Sequence, residues 1–215
     1  MALSAATVSI VRAEDLKERI VQAVKLIGGM GNVVRKGDKV LVKPNLVDGA
    51  SAETGETADP RAIRTVVELC FAAGANDVLV GEGEVYTGRR ARLYDRIREL
   101  IEPLGAKVVN KNIAALLKLV TPQLGIIDGF VGMQGDGPVG GEPLEWNIAI
   151  AGDPLECDVY CVHRMGFDPV NVGYLRRVGA PSVEKIKLVG DEIPMKNFKP
   201  HRKFELQLMW EVLSP

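Results

Sequence analysis

The stretch "ADPRAIRTVVELCFAAGANDVLVGEGE", Ala58 to Glu84, decides the fold class because it contains one complete helix followed by one complete strand. Asp59 suits the N-cap of a helix, Pro60 suits its first position, and Gly74 suits its end. The apolar run "NDVLVGEGE" then predicts a buried strand. A similar run, "KVLVKPN" at Lys39 to Asn45, precedes the helix. Two apolar strands joined by a helix are typical of a parallel sheet.

The same alternation continues through most of the chain. Further strands are predicted at "ATVSIVR", "AKVV", "LGIIDG", "WNIAIAG" and "EKIKLVG", and further helices at "AEDLKERIVQAVKLIGG", "TGRRARLYDRIRELIEPLG", "NIAALLKLV", "DPLECDVYCVHRMG" and "VNVGYLRRVG". We therefore predict the α/β class, with a mostly parallel sheet flanked by helices in a single three-layer-like domain over residues 1–190. Residues 191–215 are predicted to form an appendage or an edge strand, because "KFELQLMWEVL" places apolar residues at period two. This segment is also a candidate contact with another copy of the chain or with a partner subunit.

Composition narrows the classes of partner and compartment. The chain has 215 residues, and its 27 basic residues are balanced by 28 acidic ones. A near-neutral chain has no long-range field for nucleic acid or for an anionic membrane, so we expect neither partner. No apolar run approaches the roughly 20 residues of a membrane span, and the N-terminus lacks the pattern of a secretory signal. Three cysteines do not make a disulfide framework, so we expect a cytoplasmic protein.

Polar residues follow several of the predicted strands. In an open α/β sheet, ligands bind outside the carboxyl ends of the strands, where helix N-termini present free N–H groups. If the strands are parallel, one rim of the sheet gathers Lys43, Asn45, Glu82, Glu84, Asp128 and Asp153. We predict Lys43, Asp128 and Glu82 as catalytic residues, and Asn45 and Asp153 as ligand-binding residues.

Two ligand chemistries fit such a rim. A divalent metal would be held by Asp128 and Glu82, with Asp158 as a further carboxylate. Alternatively, Lys43 would bind a small anionic molecule while the carboxylates accept protons. Each residue also has a simpler structural interpretation: Asp153 suits a helix N-cap, and Lys43 suits a solvated strand end.

The segment "GIIDGFVGMQGDGPVGGEP", Gly125 to Pro143, has the glycine density of a nucleotide loop. However, Gly137 is followed by proline and more glycines, and no helix N-terminus is there to receive a pyrophosphate. The segment instead predicts a sharp bend that acts as a lid or clamp over the rim. Its predicted ligand-binding residues are Gly132, Gly135, Asp136 and Gly137, with Asp136 approaching the rim.

Cys157 and Cys161 lie four residues apart on a predicted helix, so their thiols share one face. A four-ligand cluster needs two more ligands, and only Cys70 remains among the cysteines. We therefore expect the cysteines to pack as small apolar residues, and an iron–sulfur cluster is not expected.

Four motifs together resemble domain-of-unknown-function family 362, over most of Val40 to Gly190. They are "VLVKPNLV", "TADPRAIRTVVELCFAAGANDVLVGEGE", "LLKLVTPQLGIIDGFVGMQGDGPVGGEP" and "IAIAGDPLECDVYCVHRMGFDPVNVGYLR". The resemblance implies a bacterial or archaeal α/β protein of a family in which some members contain ferredoxin-like iron–sulfur segments. No firmly assigned reaction comes with it. By position, the family-like residues include Lys43, Asn45, Asp59, Glu82, Asp128, Asp153 and Asp158.

The chain departs from the family pattern in two ways. A long central segment that family members usually carry, with a histidine motif, is reduced here to "NKNI". The four-cysteine ferredoxin signature is also absent. Three functions therefore stay open: an enzyme-like site for a divalent cation or a small anion, a non-catalytic binding or assembly module, and an iron–sulfur-linked redox protein.

Overall fold

The computed structural model describes residues 7–47, 50–82, 89–109 and 121–208, and within them the predicted α/β class is confirmed. The strands are β1 (Thr7–Arg12), β2 (Lys39–Val42), β3 (Asp77–Gly81), β4 (Lys107–Val109), β5 (Gly125–Ile127), β6 (Val131–Gln134), β7 (Glu142–Glu145), β8 (Ile148–Gly152) and β9 (Lys187–Gly190). The helices are α1 (Leu16–Leu26), α2 (Pro60–Ala72), α3 (Arg89–Ile101), α4 (Pro154–Arg164), α5 (Gly173–Arg177) and α6 (Phe204–Leu208). Glu84, the helix predicted at "NIAALLKLV" and the last seven residues lie outside the described residues.

The described strands form three sheets. A parallel sheet has the order β2-β3-β4, and a mixed sheet has the order β5-β8-β1-β9. Strands β6 and β7 pair with each other as an antiparallel hairpin. The parallel sheet comes from the βαβ unit that the opening stretch of the sequence predicts.

Local capping rules account for where the main helices begin. Asp15 accepts a hydrogen bond from the Glu18 N–H at 2.7 Å and caps α1. Asp59 caps α2 through the Arg61 N–H, with proline at the first helical position as predicted. These caps satisfy N–H groups that have no partner inside the helix.

The hydrophobic core lies on both faces of the mixed sheet. Val8 and Ile10 of β1 pack with α4 on one face, while Val11 packs with α1 and α2 on the other. The two faces alternate because successive side chains of a strand point in opposite directions. Ser9 is buried among apolar neighbours, and its hydroxyl is satisfied by donating to the carbonyls of Ala23 and Ala151.

The expectation that all rim strands run parallel is wrong for β5 and β8. These strands are antiparallel, with Ile127 opposite Ile150 and Gly125 opposite Gly152. The chain between them forms the β6–β7 hairpin, which the sequence did not predict. A hairpin returns the chain without a helical crossover, and a parallel return requires such a crossover.

The predicted C-terminal strand is also wrong where the structure describes it. Phe204–Leu208 forms a short helix, and the Phe204 ring lies 5.5 Å from the Phe167 ring. A strand needs a neighbouring strand for its backbone groups, and here the packing of Phe204 positions the segment instead. Between β9 and α6 the chain has no regular secondary structure, and Ile193 and Phe198 are buried.

Among the described residues, none of the helices has both the length and the apolar character needed to cross a lipid bilayer.

Candidate functional site

The carboxyl ends of β2 and β3 meet and bring Lys43 and Glu82 together. The strands are parallel, with Val42 opposite Val80, so the residues that follow them are neighbours. The Lys43 Nζ lies 2.5 Å from Glu82 Oε1, and Glu82 Oε2 accepts a hydrogen bond from the Leu46 N–H at 2.7 Å. Both oxygens of this mostly buried carboxylate are therefore engaged by groups at the rim.

Asn45 anchors the loop that leads into α2. Its carbonyl accepts hydrogen bonds from the Thr57 hydroxyl at 3.0 Å and from the Ala58 N–H at 2.8 Å. Its side-chain amide donates to the Glu56 carbonyl at 3.3 Å. Asn45 is thus at the rim, as predicted, but its described contacts hold the loop in place.

Asp128 lies against the N-terminus of α2. Its Oδ2 accepts a hydrogen bond from the Asp59 N–H at 2.7 Å. The pKa of Asp128 is raised to about 6, chiefly by burial and in smaller part by the nearby Asp59 carboxylate, while the hydrogen bond from the Asp59 N–H opposes the rise. A carboxyl with a pKa near neutrality is able to exchange a proton with a bound molecule.

Asp59 is ionised beside Asp128. Burial alone would raise the pKa of this 4 % exposed carboxyl, but the hydrogen bonds from Arg61 outweigh burial and lower it. Arg61 donates to Asp59 through its Nε and Nη2 as well as through its backbone N–H. The two adjacent carboxyls therefore differ. Asp59 is held in its ionised form, whereas the ionised form of Asp128 is disfavoured.

Two arginines contact the ring of Phe130, just beyond Asp128. The guanidinium carbons of Arg19 and Arg61 lie 5.5 and 5.4 Å from the ring centroid, within the range of a cation–π contact. Arg19 is only 1 % exposed, and its Nη2 donates to the Glu14 carbonyl. Its Nε and Nη1 are buried without a hydrogen-bond partner among the described residues. Burial lowers the pKa of Arg19, and the positive charge of Arg61 adds to this decrease. The negative charge of Asp15 acts in the opposite direction.

Asp153 does not share the rim with Asp128. It follows β8, and because β8 is antiparallel to β5, the end of β8 lies at the beginning of β5. Its carboxylate caps α4 by accepting hydrogen bonds from Leu155 at 3.0 Å and Glu156 at 3.2 Å. The N-cap interpretation of Asp153 is therefore the one that the structure supports.

Asp158, the third predicted metal ligand, lies on α4 and accepts a hydrogen bond from the Tyr174 hydroxyl at 3.3 Å. Its helix packs in the core cluster on the opposite face of the mixed sheet from α1 and α2. Nowhere in the described ranges do three or more histidine, cysteine or acidic side chains form a group suited to a metal ion. Asp128, Glu82 and Asp158 are thus not brought together as one metal site.

The glycine-rich segment packs against the C-terminal part of the chain. A Cβ on Gly132 would lie 2.9 Å from the Phe198 ring, so only glycine fits there without a shift. The Gly135 N–H donates to the Lys199 carbonyl, and the Gly137 N–H donates to the Gly135 carbonyl. Asp136 accepts a hydrogen bond from the Arg202 N–H at 3.0 Å. Three of the four predicted ligand-binding residues of this segment, Gly132, Gly135 and Asp136, therefore contact the C-terminal segment, while the bond of Gly137 stays within the loop.

The cysteines are buried or half-buried, as predicted. Cys70 and Cys157 are buried in separate core clusters, and Cys161 packs against the second cluster. Burial raises the pKa of Cys70 to about 11 and of Cys161 to about 12, and it raises that of Cys157 further. These thiols stay protonated at neutral pH and pack as small apolar groups.

Sequence reasoning missed the arginines and the aromatic ring of the site. Arg19 lies one turn from Leu16 and next to Ile20, on the buried face of α1, and an arginine on the apolar face of a helix is a signal that was available. Phe130 follows Asp128 by two residues, within the segment interpreted only through its glycines. Arg61 was visible only as a helix residue, because its pairing with Asp59 depends on the geometry of the cap.

A family model for a domain of unknown function, DUF362, matches residues 40–110 and 101–163, which is more than half of the chain. The chain belongs to the DUF362 family. The region that matches includes the ends of β2, β3 and β5 and the start of α2, while Arg19 and the C-terminal segment lie outside it. Comparisons with curated proteins and with solved structures gave no match. The DUF362 assignment identifies the family and brings no reaction with it.

Proposed function

We propose that this DUF362 protein binds a small anionic ligand at the rim formed by the ends of β2, β3 and β5 and the start of α2. Asp128 would exchange a proton with that ligand. The single observation that carries the proposal is the partly exposed Asp128 carboxyl, with a pKa near 6, which accepts the N–H of the Arg61-paired Asp59 and lies two residues before Phe130, the ring that Arg19 and Arg61 contact.

The charges at the rim favour an anion over a divalent cation. Both oxygens of Glu82 are engaged by Lys43 and the Leu46 N–H, and Asp59 is engaged by Arg61. A metal would have to displace these partners. An anion, by contrast, would find the partly exposed Lys43 and Arg61 side chains. Arg19 adds a buried positive charge beside Phe130, and its Nε and Nη1 atoms have no hydrogen-bond partner within the part of the chain that the structure describes.

Asp128 would act in a pH-dependent way. In its protonated form it donates a hydrogen bond to a ligand oxygen, and in its ionised form it repels the ligand or accepts a proton from it. We therefore expect affinity for a non-titrating anion such as sulfate to fall as pH rises through about 6. The Asp128→Asn variant should lose this pH dependence because its amide does not titrate.

Thermal shift with sulfate, malonate and inorganic phosphate, at constant ionic strength against chloride, tests the binding. A ligand concentration about tenfold above the dissociation constant stabilises the folded protein by about 1.4 kcal/mol. For a chain of this size, that raises the melting temperature by about 3 to 6 °C. Lys43→Gln and Arg61→Gln should reduce the shift. Lys39→Gln is the matched control, because Lys39 lies at the opposite end of the same strand and pairs with the exposed Asp77.

Two results would overturn the proposal. One is an equal shift in Lys43→Gln, Arg61→Gln and Lys39→Gln, which would indicate a general salt effect. The other is stabilisation by Mg²⁺ or Ca²⁺, with none by anions, that Asp128→Asn abolishes and Lys43→Gln leaves unchanged. That second result would establish the cation site instead.

A second candidate function is assembly through α6. Leu206 and Leu208 are exposed apolar residues on this short helix. We propose that they contact another subunit, and sedimentation of the chain with and without residues 203–215 tests this. A monomer in both cases would contradict it.

A further inference from the structure

A cavity of about 310 Å³ lies at the C-terminal end of α4, and it contains none of the rim residues. This volume is at the lower end of the range for small-molecule sites, about 300 to 1,000 Å³. Its walls come from His163 near the end of α4, from residues 166–170 in the turn that follows, from Val183 and Glu184 before β9, and from Met195 after β9.

Five of the residues that line the cavity are apolar: Phe167, Pro169, Val170, Val183 and Met195. Val170 is 65 % exposed and Met195 is 42 % exposed, so apolar surface at the cavity is left in contact with water. Phe167 is held from behind by the Phe204 ring. A ligand with a compact apolar body would remove this surface from water.

Three further lining residues have polar side chains, and two of them are acidic: His163, Asp168 and Glu184. The Nδ1 atom of His163 is buried and has no hydrogen-bond partner among the residues described. The pKa of Glu184 is lowered by its own backbone N–H, by the Ser182 hydroxyl and by His163, so this carboxylate is ionised and close to the imidazole. Asp168 keeps one oxygen on the Val170 N–H and is exposed.

We propose that this cavity binds a small organic ammonium ion whose apolar body packs against Phe167, Val170 and Val183. The ammonium group faces the carboxylates of Glu184 and Asp168. An anion of the same shape is repelled by the two carboxylates, and a neutral alcohol gains the apolar contacts without the ionic attraction.

Phenethylamine is a suitable probe because it combines a phenyl ring with a primary ammonium. Titrations followed by amide ¹H–¹⁵N NMR should move the resonances of Gly166, Val170 and Glu184. Attraction to exposed carboxylates is weak, so phenethylamine should bind only about 1.4- to fivefold more tightly than 2-phenylethanol. The anion 3-phenylpropionate should bind more weakly than either.

Glu184→Gln should reduce the preference for phenethylamine over 2-phenylethanol, with the Asp168 carboxylate still in place, and leave affinity for the alcohol unchanged. Glu102→Gln is the matched control, since Glu102 is also an exposed glutamate in the first turn of a short 3₁₀ helix but lies at the end of α3. The proposal is overturned if 3-phenylpropionate binds as well as phenethylamine. It is also overturned if both variants weaken the amine equally, or if the shifted amides lie elsewhere.

Discussion

The raised pKa of Asp128 makes the stability of the protein depend on pH in a direction opposite to that of most carboxylates. Its ordinary value of 3.8 rises to about 6 in the folded chain, so the folded state holds a proton that the unfolded state has lost. Stability from this group is fully present below about pH 4 and is lost as pH rises through about 6. Asp128→Asn removes the titration, and its amide oxygen is still able to accept the Asp59 N–H.

The magnitude follows from the two pKa values. A difference of about 2 units, at 1.36 kcal/mol per unit, corresponds to about 3 kcal/mol as an upper limit. Relative to wild type, the free energy of unfolding of Asp128→Asn should therefore increase by up to about 3 kcal/mol between pH 4 and pH 7.5. Other titrating groups largely cancel in this difference because both proteins contain them.

Urea unfolding followed by circular dichroism at several pH values measures this difference. Asp153→Asn is a matched control, since Asp153 also accepts backbone N–H bonds but is exposed, and asparagine caps a helix about as well as aspartate. The pH dependence of the Asp128→Asn difference is judged against that of the Asp153→Asn difference, measured in the same way. The assignment of Asp128 as the proton-exchanging group would be refuted if the free energy of unfolding of Asp128→Asn, relative to wild type, stayed constant or decreased as pH rises.

Three further predictions concern packing, capping and thiol chemistry. Gly132→Ala should destabilise by about 1 to 3 kcal/mol in urea unfolding because its Cβ meets the Phe198 ring, whereas Gly173→Ala, with open space around it, should be near neutral. Asp59→Asn should lower the free energy of unfolding by about 1.5 to 3 kcal/mol at pH 7, because it loses the charge-assisted hydrogen bonds from Arg61. Since the pKa of Asp59 is lowered in the folded state, this loss should shrink as pH falls below about 4. A loss independent of pH would contradict the pairing. The three thiols should react slowly with a disulfide reagent at pH 7.5 and completely in urea, because burial raises their pKa; fast labelling of the folded protein would contradict their burial.

The α/β class and the positions of the main helices were predictable because they depend on short-range rules. The carboxylate of Asp59 reaches an N–H two residues away, and that of Asp153 reaches N–H groups two and three residues away. A proline at the next position is compatible with any helix start. The pairing of Lys43 with Glu82 followed from the parallel βαβ unit, whose strands must end at the same edge.

What the sequence determined by itself was the α/β class, most of the helices and strands, and the polar residues that follow β2, β3 and β5. Only the tertiary structure decided that a hairpin lies between β5 and β8, so that β8 runs against β5 and Asp153 is separated from Asp128. It also decided that the glycine-rich segment packs on Phe198 and Lys199, and that Arg19 is buried behind Phe130. The physical reason is the range of the interactions. Caps and turns are settled within a few residues, whereas strand direction and the burial of a charge depend on residues far apart in the chain, such as Gly125 with Gly152 and Arg19 with Phe130.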